Sequence, residues 1–148
     1  MKPEANEILL GSLLTLMGDV VNNVSVDYSA GNLRTISFLI FMAAEEFERA
    51  AEVRVVENQA MRGIFQSAIN YAPAEDLKRR LSAAAAGQDD SLNISSLNTA
   101  NAELKALLID LQDLTFAAED GESRRLDAAI WSFLSLSADK RLMSRPPV

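Results

Sequence analysis

The side chains in this chain best placed to do chemistry together are carboxylates. Glu45, Glu48 and Glu52 fall on one face of a predicted helix with Glu46 beside them, and Asp110 and Asp113 make a second pair further along. Carboxylates at such helical spacings can ligate Mg²⁺ or Mn²⁺ inside a bundle. The chain contains neither Cys nor His. That removes thiolate nucleophiles, thiolate or imidazole metal ligands, and the usual general base near neutral pH. Serines are many, but a serine nucleophile needs a base, and Lys is the only familiar partner left. The glycines never cluster into a phosphate-cradling loop. Tyr28 and Tyr71 read as anchors at loop or helix ends, and Trp131 as a core or interface aromatic.

Glu45-x-x-Glu48 resembles half of the paired-carboxylate pattern of all-α nucleotide pyrophosphohydrolases, which would imply a Mg- or Mn-dependent nucleotide hydrolase. The other half, a Glu-x-x-Asp, does not follow between residues 49 and 73, and a di-iron Glu-x-x-His cannot exist without histidine. Both carboxylate sets also point away from the apolar stripes of their own helices. Their ordinary reading is a solvated outer face, with Glu45 pairing to Arg49 at i, i+4. No cofactor is expected.

The elements that must carry these residues are helices. In the first, from Pro3 to Val24, Leu9, Leu10, Leu13, Leu14, Leu16, Met17, Val20, Val21 and Val24 lie within an arc of about 160° at helical period. Residues 25–31 read as a loop and Asn32 as an N-cap. From Leu33 to Tyr71 there is no Pro and a single Gly. Leu33, Ile36, Ile40, Ala43, Phe47, Ala50, Met61, Phe65 and Ala68 hold one face, so the segment predicts one long helix, with a kink at Val55-Val56 as the alternative. Pro73 ends it and opens a third helix, from Ala74 to Ala86, with Glu75 and Asp76 in its first turn. The fourth shows Leu97, Ala100, Leu104, Leu107, Leu111, Leu114 and Ala118 in a 3-4 alternation, starting at Ser95 or Ser96 and ending at Asp120-Gly121. The fifth, from Ser123 to Met143, turns Leu126, Ala129, Ile130, Phe133 and Leu134 inward. No strand is required. The pattern predicts an all-α, four- or five-helix, mostly antiparallel bundle with one long second helix. Its 148 residues suit a single domain over 1–143 with a short tail at 144–148.

Charge narrows the partners. The net charge is −7 and the pI about 4.6. Residues 1–74 carry 5 basic and 9 acidic groups, and 75–148 carry 9 and 12. No concentrated basic face is available for nucleic acid or an anionic membrane. The apolar stretch from Ile8 to Gly18 lacks the basic flank and cleavage site of a signal peptide. No run approaches a membrane span of about 18 residues. A cytoplasmic protein is the expectation.

Some apolar residues do not fit a minimal bundle. Phe38, Phe41 and Met42 lie opposite the main stripe of the long helix, and Ile109, Phe116 and Trp131 lie off the stripes of the last two. Either these helices are buried on several sides, or Phe38, Phe41, Met42 and Trp131 form a contact surface. A homodimer is the commonest way to cover such a surface. The expected function is therefore a non-enzymatic interaction protein: a small regulatory, adaptor or chaperone-like bundle, self-associating. The alternative is an apolar small-molecule-binding bundle with Phe47 and Phe65 lining its pocket.

Overall fold

A computed structural model describes residues 4–118 and 120–143, and among these every regular element is a helix. In chain order they are α1 (Ala5–Thr15), a wider π turn (Leu16–Val20), α2 (Val21–Asn23), α3 (Asp27–Ala68), α4 (Glu75–Ala86), α5 (Ile94–Phe116) and α6 (Gly121–Arg141). The all-α prediction holds. The stretch from Leu33 to Tyr71 lies mostly within one unbroken helix of 42 residues, about 63 Å at 1.5 Å per residue. Contrary to the predicted loop at 25–31, this helix begins at Asp27. Gly31, the only breaker there, costs about 1 kcal/mol, too little to stop a helix with so many residues following it. The predicted start at Pro3 and the tail at 144–148 lie outside the described residues.

The chain divides into two compact units, one running to Ala50 and including Met143, the other spanning Ala51–Leu142. In the first, α1 and the front of α3 form an antiparallel pair. They are joined by the short link 24–26, and Asn6 Nδ2 donates to Glu48 Oε2 at 3.3 Å at the far end. Leu13 and Val21 are both buried although they are eight residues apart. An ideal helix would set them about 80° out of line. The π turn between them inserts a residue, rotates the succeeding turn back by about 100° and returns Val21 to the seam. The Asn22 side-chain amide donates to the carbonyls of Gly18, at 2.9 Å, and Met17, at 3.5 Å, in the widened turn.

The second unit is an up-down-up-down four-helix bundle. Its directions follow from paired residues. Arg54 and Glu57 of α3 meet Asn98 and Asn101 of α5, so these two run parallel. Glu57 meets Arg141 of α6 while Tyr71, just past α3, meets Asp120 before it, so α6 runs antiparallel to α3. The core is Met61, Phe65 and Ala68 from α3, Leu81 from α4, Leu104, Leu107, Leu108 and Leu111 from α5, and Leu126, Ile130 and Phe133 from α6. Leu104, Leu107 and Leu111 belong to the predicted 3-4 stripe and Leu126, Ile130 and Phe133 to the predicted inward face of the last helix, whereas Leu108 joins the core from beside the stripe and Leu134 is exposed.

One boundary is reassigned. Asp120-Gly121 does not end α5, which stops at Phe116; it starts α6. Asp120 Oδ1 accepts from the backbone N–H of Glu122 and of Ser123, both at 2.8 Å, satisfying two orphan donors of the first turn. Those bonds hold its carboxyl below the usual carboxylate range.

Leu111 is fully buried in this core. Leu111→Ala should lower unfolding free energy by about 2–5 kcal/mol in urea titration, as buried Leu truncations do.

Candidate functional site

The structure separates the predicted contact residues. Phe38, Met42 and Trp131 are exposed, as is Phe47 at 60 %. Phe41 is buried at 4 %; it belongs to the seam of α3 that also carries Ala30, Ser37 and Ala44. The stripe read from the sequence as the core face fares the other way, with Ile36 and Phe47 exposed. Both departures have one cause. Residues 33–47 are apolar around most of the helix, and the single helix α1 can cover only part of that circumference. Ile109 and Phe116 of α5 are exposed as well.

On α1, Leu10, Leu14 and Met17 are exposed at i, i+4 and i+7, the spacing of a continuous stripe beside the buried seam. On α3, Phe38 and Met42 make an i, i+4 pair beside Phe41. In right-handed helices running antiparallel these two stripes fall on the same side of the pair. At roughly 200 Å² for a large side chain, their exposures leave about 500 Å² of apolar surface. The opposite side is apolar as well, with Ile8 of α1 and Ile36 and Phe47 of α3 exposed. There α1 presents a shallow groove lined by Glu7, Ile8, Gly11, Ser12, Thr15 and Leu16.

The predicted metal ligands are not brought together. Glu45 pairs with Arg49 at 3.4 Å as expected, Glu48 accepts from Asn6, Glu52 stands 3.9 Å from Lys140, and Asp110 accepts from Arg80 at 2.6 Å. Asp113 is exposed. Among the described residues no group of three or more acidic side chains is placed to hold a metal ion. Phe65 is fully buried in the core of the second unit. A groove of about 380 Å³ lies beside Arg62, Arg80, Gly87, Glu103 and Leu107, and neither Phe47 nor Phe65 lines it. Arg62 and Arg80 are answered there by Asp89 and Asp110, so the groove has no surplus of positive charge for an anion.

The feature that sequence reasoning missed is a buried polar network centred on Glu57, whose side chain is 2 % exposed. Arg141 donates to both of its oxygens, Nε to Oε1 at 2.6 Å and an Nη to Oε2 at 2.7 Å. Ser137 Oγ donates to Oε1 at 2.5 Å, Asn101 Nδ2 to Oε2 at 2.9 Å, and Lys105 Nζ lies 3.3 Å away. Asn101 also donates to Asn58, whose own amide donates to Asp89 beside Arg62. Burial pushes the Glu57 carboxyl up; the Arg141, Ser137 and Asn101 hydrogen bonds and the Lys105 charge outweigh it and lower its pKa to about 2. Burial likewise raises Asp89, and the bonds from Arg62 and Asn58 bring it below its ordinary value. Ser137 and Lys140 stand at Ser-x-x-Lys spacing, but the Ser137 hydroxyl is engaged by Glu57, a carboxylate far too weak a base to activate it. The network ties α3, α5 and α6 together rather than presenting a reactive group. Polar residues at seam positions were the available signal: Asn58 continues the Met61, Phe65, Ala68 spacing, and Asn101 stands one turn from Leu97.

No protein-family model matches the chain, and neither a curated protein nor a solved structure matches it. Among the described residues no helix is long and apolar enough to cross a membrane.

The lowered pKa links stability to pH. Above about pH 4.5 Glu57 is charged in both folded and unfolded chains, and its contribution is fully present. As pH falls from 4.5 towards 2 the unfolded chain takes up the proton first, and about 3 kcal/mol is lost. Glu57→Gln should flatten that part of the stability–pH curve, measured by urea unfolding at stepped pH. Arg141→Ala should cost about 3 kcal/mol at pH 7, because it strips a buried carboxylate of its two-point partner.

Proposed function

We propose that this protein is a non-enzymatic helical interaction protein that acts by self-association through its N-terminal helical pair. The observation that carries this reading is the apolar surface left on that pair: Leu10, Leu14 and Met17 on α1, and Phe38 and Met42 on α3, all exposed. About 500 Å² of apolar surface lies in the upper part of the range of about 300–600 Å² for the largest patch on a soluble monomer, and patches of that size are often functional. It also matches a homodimer interface, where each partner gives roughly 800 Å², about 65 % of it apolar. A second copy of the chain is the simplest cover, since the same patch on both subunits completes a closed two-fold assembly. The carboxylates favour no hydrolase: Glu45, Glu48, Glu52 and Asp110 are each engaged with a separate partner. A small regulatory, adaptor or chaperone-like role in the cytoplasm suits a chain of this kind. Trp131 on α6 is a further exposed aromatic open to a protein partner.

Native mass spectrometry on gently purified protein tests the reading. The expected result is a dimer of the bare chain at micromolar concentration. A monomer carrying a bound small molecule would overturn it in favour of a ligand-binding bundle. Phe41→Glu should behave unlike an interface mutant. Because Phe41 is buried, the substitution should lower the helical circular-dichroism signal and the Tm rather than only dissociate the dimer.

A further inference from the structure

We infer that the last two turns of α6, residues 134–141, form a polar latch that opens from the bundle while the rest of α6 stays docked. Burial along the helix carries this. The buried residues of α6 are Ser123, Leu126, Ile130 and Phe133, all before residue 134. From 134 to 141 no side chain is buried, and both leucines there, Leu134 and Leu136, are exposed. Apolar packing therefore fixes the first part of the helix, and charge engages the last. Ser137 and Arg141 donate to Glu57, and Lys140 stands 3.9 Å from Glu52. Those two carboxylates lie five positions apart on α3, little more than one helical turn. A segment with few buried apolar contacts opens at lower free energy than the core it leaves, as a cooperative unit of its own.

The chemistry of the attachment favours such opening. Withdrawing Glu57 and Arg141 from water has a cost that offsets much of their attraction. An opened latch recovers that cost, because both charges are hydrated again; an apolar seam of the same area would recover nothing. The groups that answer Glu57 divide between two elements. Ser137 and Arg141 leave with the latch, whereas Asn101 and Lys105 stay on α5. Asn101 also donates to Asn58, which leads on to Asp89 and Arg62. The open carboxylate thus keeps a weaker set of partners. In the closed state the Glu57 pKa is about 2, and losing the two-point partner raises it. Opening therefore takes up a proton below about pH 4.5 and grows easier as pH falls towards 2, with no dependence on Glu57 above that window. Glu52 and Asp139 are the other carboxylates at this end, on α3 and on the latch itself.

Native-state hydrogen exchange on the full chain, resolved by NMR, tests the latch. Protection factors of the amides of residues 137–141 are compared with those of residues 130–133. In the wild type the first group should be protected, but less than the second. Leu111→Ala removes core packing that an opened latch retains. It should lower protection at 130–133 by at least about 30-fold and leave 137–141 unchanged. Small additions of urea to the wild type make the same distinction without a substitution, since the slope follows the surface exposed: steep at 130–133, shallow at 137–141. Arg141→Gln should lower protection at 137–141 by at least about 30-fold. Between pH 5 and pH 3 wild-type protection at 137–141 should fall about tenfold, and Glu57→Gln, which leaves Glu52 and Asp139 in place, should abolish that fall. Equal urea slopes for the two groups, or equal losses in Leu111→Ala, would show that 137–141 opens only with the whole bundle and overturn the latch. Unchanged protection at 137–141 in Arg141→Gln, or a pH response that persists in Glu57→Gln, would overturn the role given to the Glu57–Arg141 pair.

Discussion

A carboxylate withdrawn from water has to be answered, and much of the second unit is arranged around answering Glu57. Its two oxygens take hydrogen bonds from Arg141 and Ser137 on α6 and from Asn101 on α5, with the Lys105 ammonium close by. Removing any one donor would leave part of a buried charge uncompensated, at a cost of kilocalories. Apolar contacts between Leu-rich helices tolerate a slip along the axis, because one leucine substitutes for the next. A two-point guanidinium–carboxylate pair does not, since both bonds fail together when the register shifts. Glu57 thus sets which turn of α6 and which turn of α5 lie against α3, and the core from Met61 to Phe133 is packed around that choice.

The first unit is built on a different principle. It is held by a narrow seam in which Leu13, Val21, Phe41 and Ala44 are buried, and the π turn exists to keep that seam in phase. Two helices have only one mutual face. Whatever apolar surface lies elsewhere on their circumference remains open unless another element covers it. The contrast between the units is therefore physical. One closes four helices around a core, while the other leaves leucine, methionine and phenylalanine at its surface. The proposed function grows from that contrast and not from any reactive group.

Legibility in the sequence followed the type of interaction. The Leu97, Leu104, Leu107, Leu111 stripe, the Leu126, Ile130, Phe133 stripe and the break at Pro73 were readable because period and breakers are local properties of the chain. The Glu57 network was not, since the donors that answer Glu57 from α5 and α6 lie 44 to 84 residues from it in the chain, and polar residues at the seam positions of Asn58 and Asn101 signal a buried polar contact without naming its partner. The face of α3 is misleading for a different reason. Where a helix is apolar nearly all round, period no longer selects a side. It sets Phe41 outside and Ile36 and Phe47 inside, the reverse of what the packing with α1 requires.

The amino-acid sequence by itself determined that this is an all-α chain, where most of its helices run, that its net charge is −7, and that thiol and imidazole chemistry are absent. Those follow from composition and from hydrogen bonding between near neighbours. Only the tertiary structure decided that the long helix starts at Asp27 and contributes to two compact units, that Glu57 is the buried anchor of the second, and that the candidate metal ligands stay apart. It also decided which apolar residues remain in water. Such outcomes depend on which distant surfaces meet, and a linear pattern constrains that only where one face of a helix is clearly more apolar than the rest.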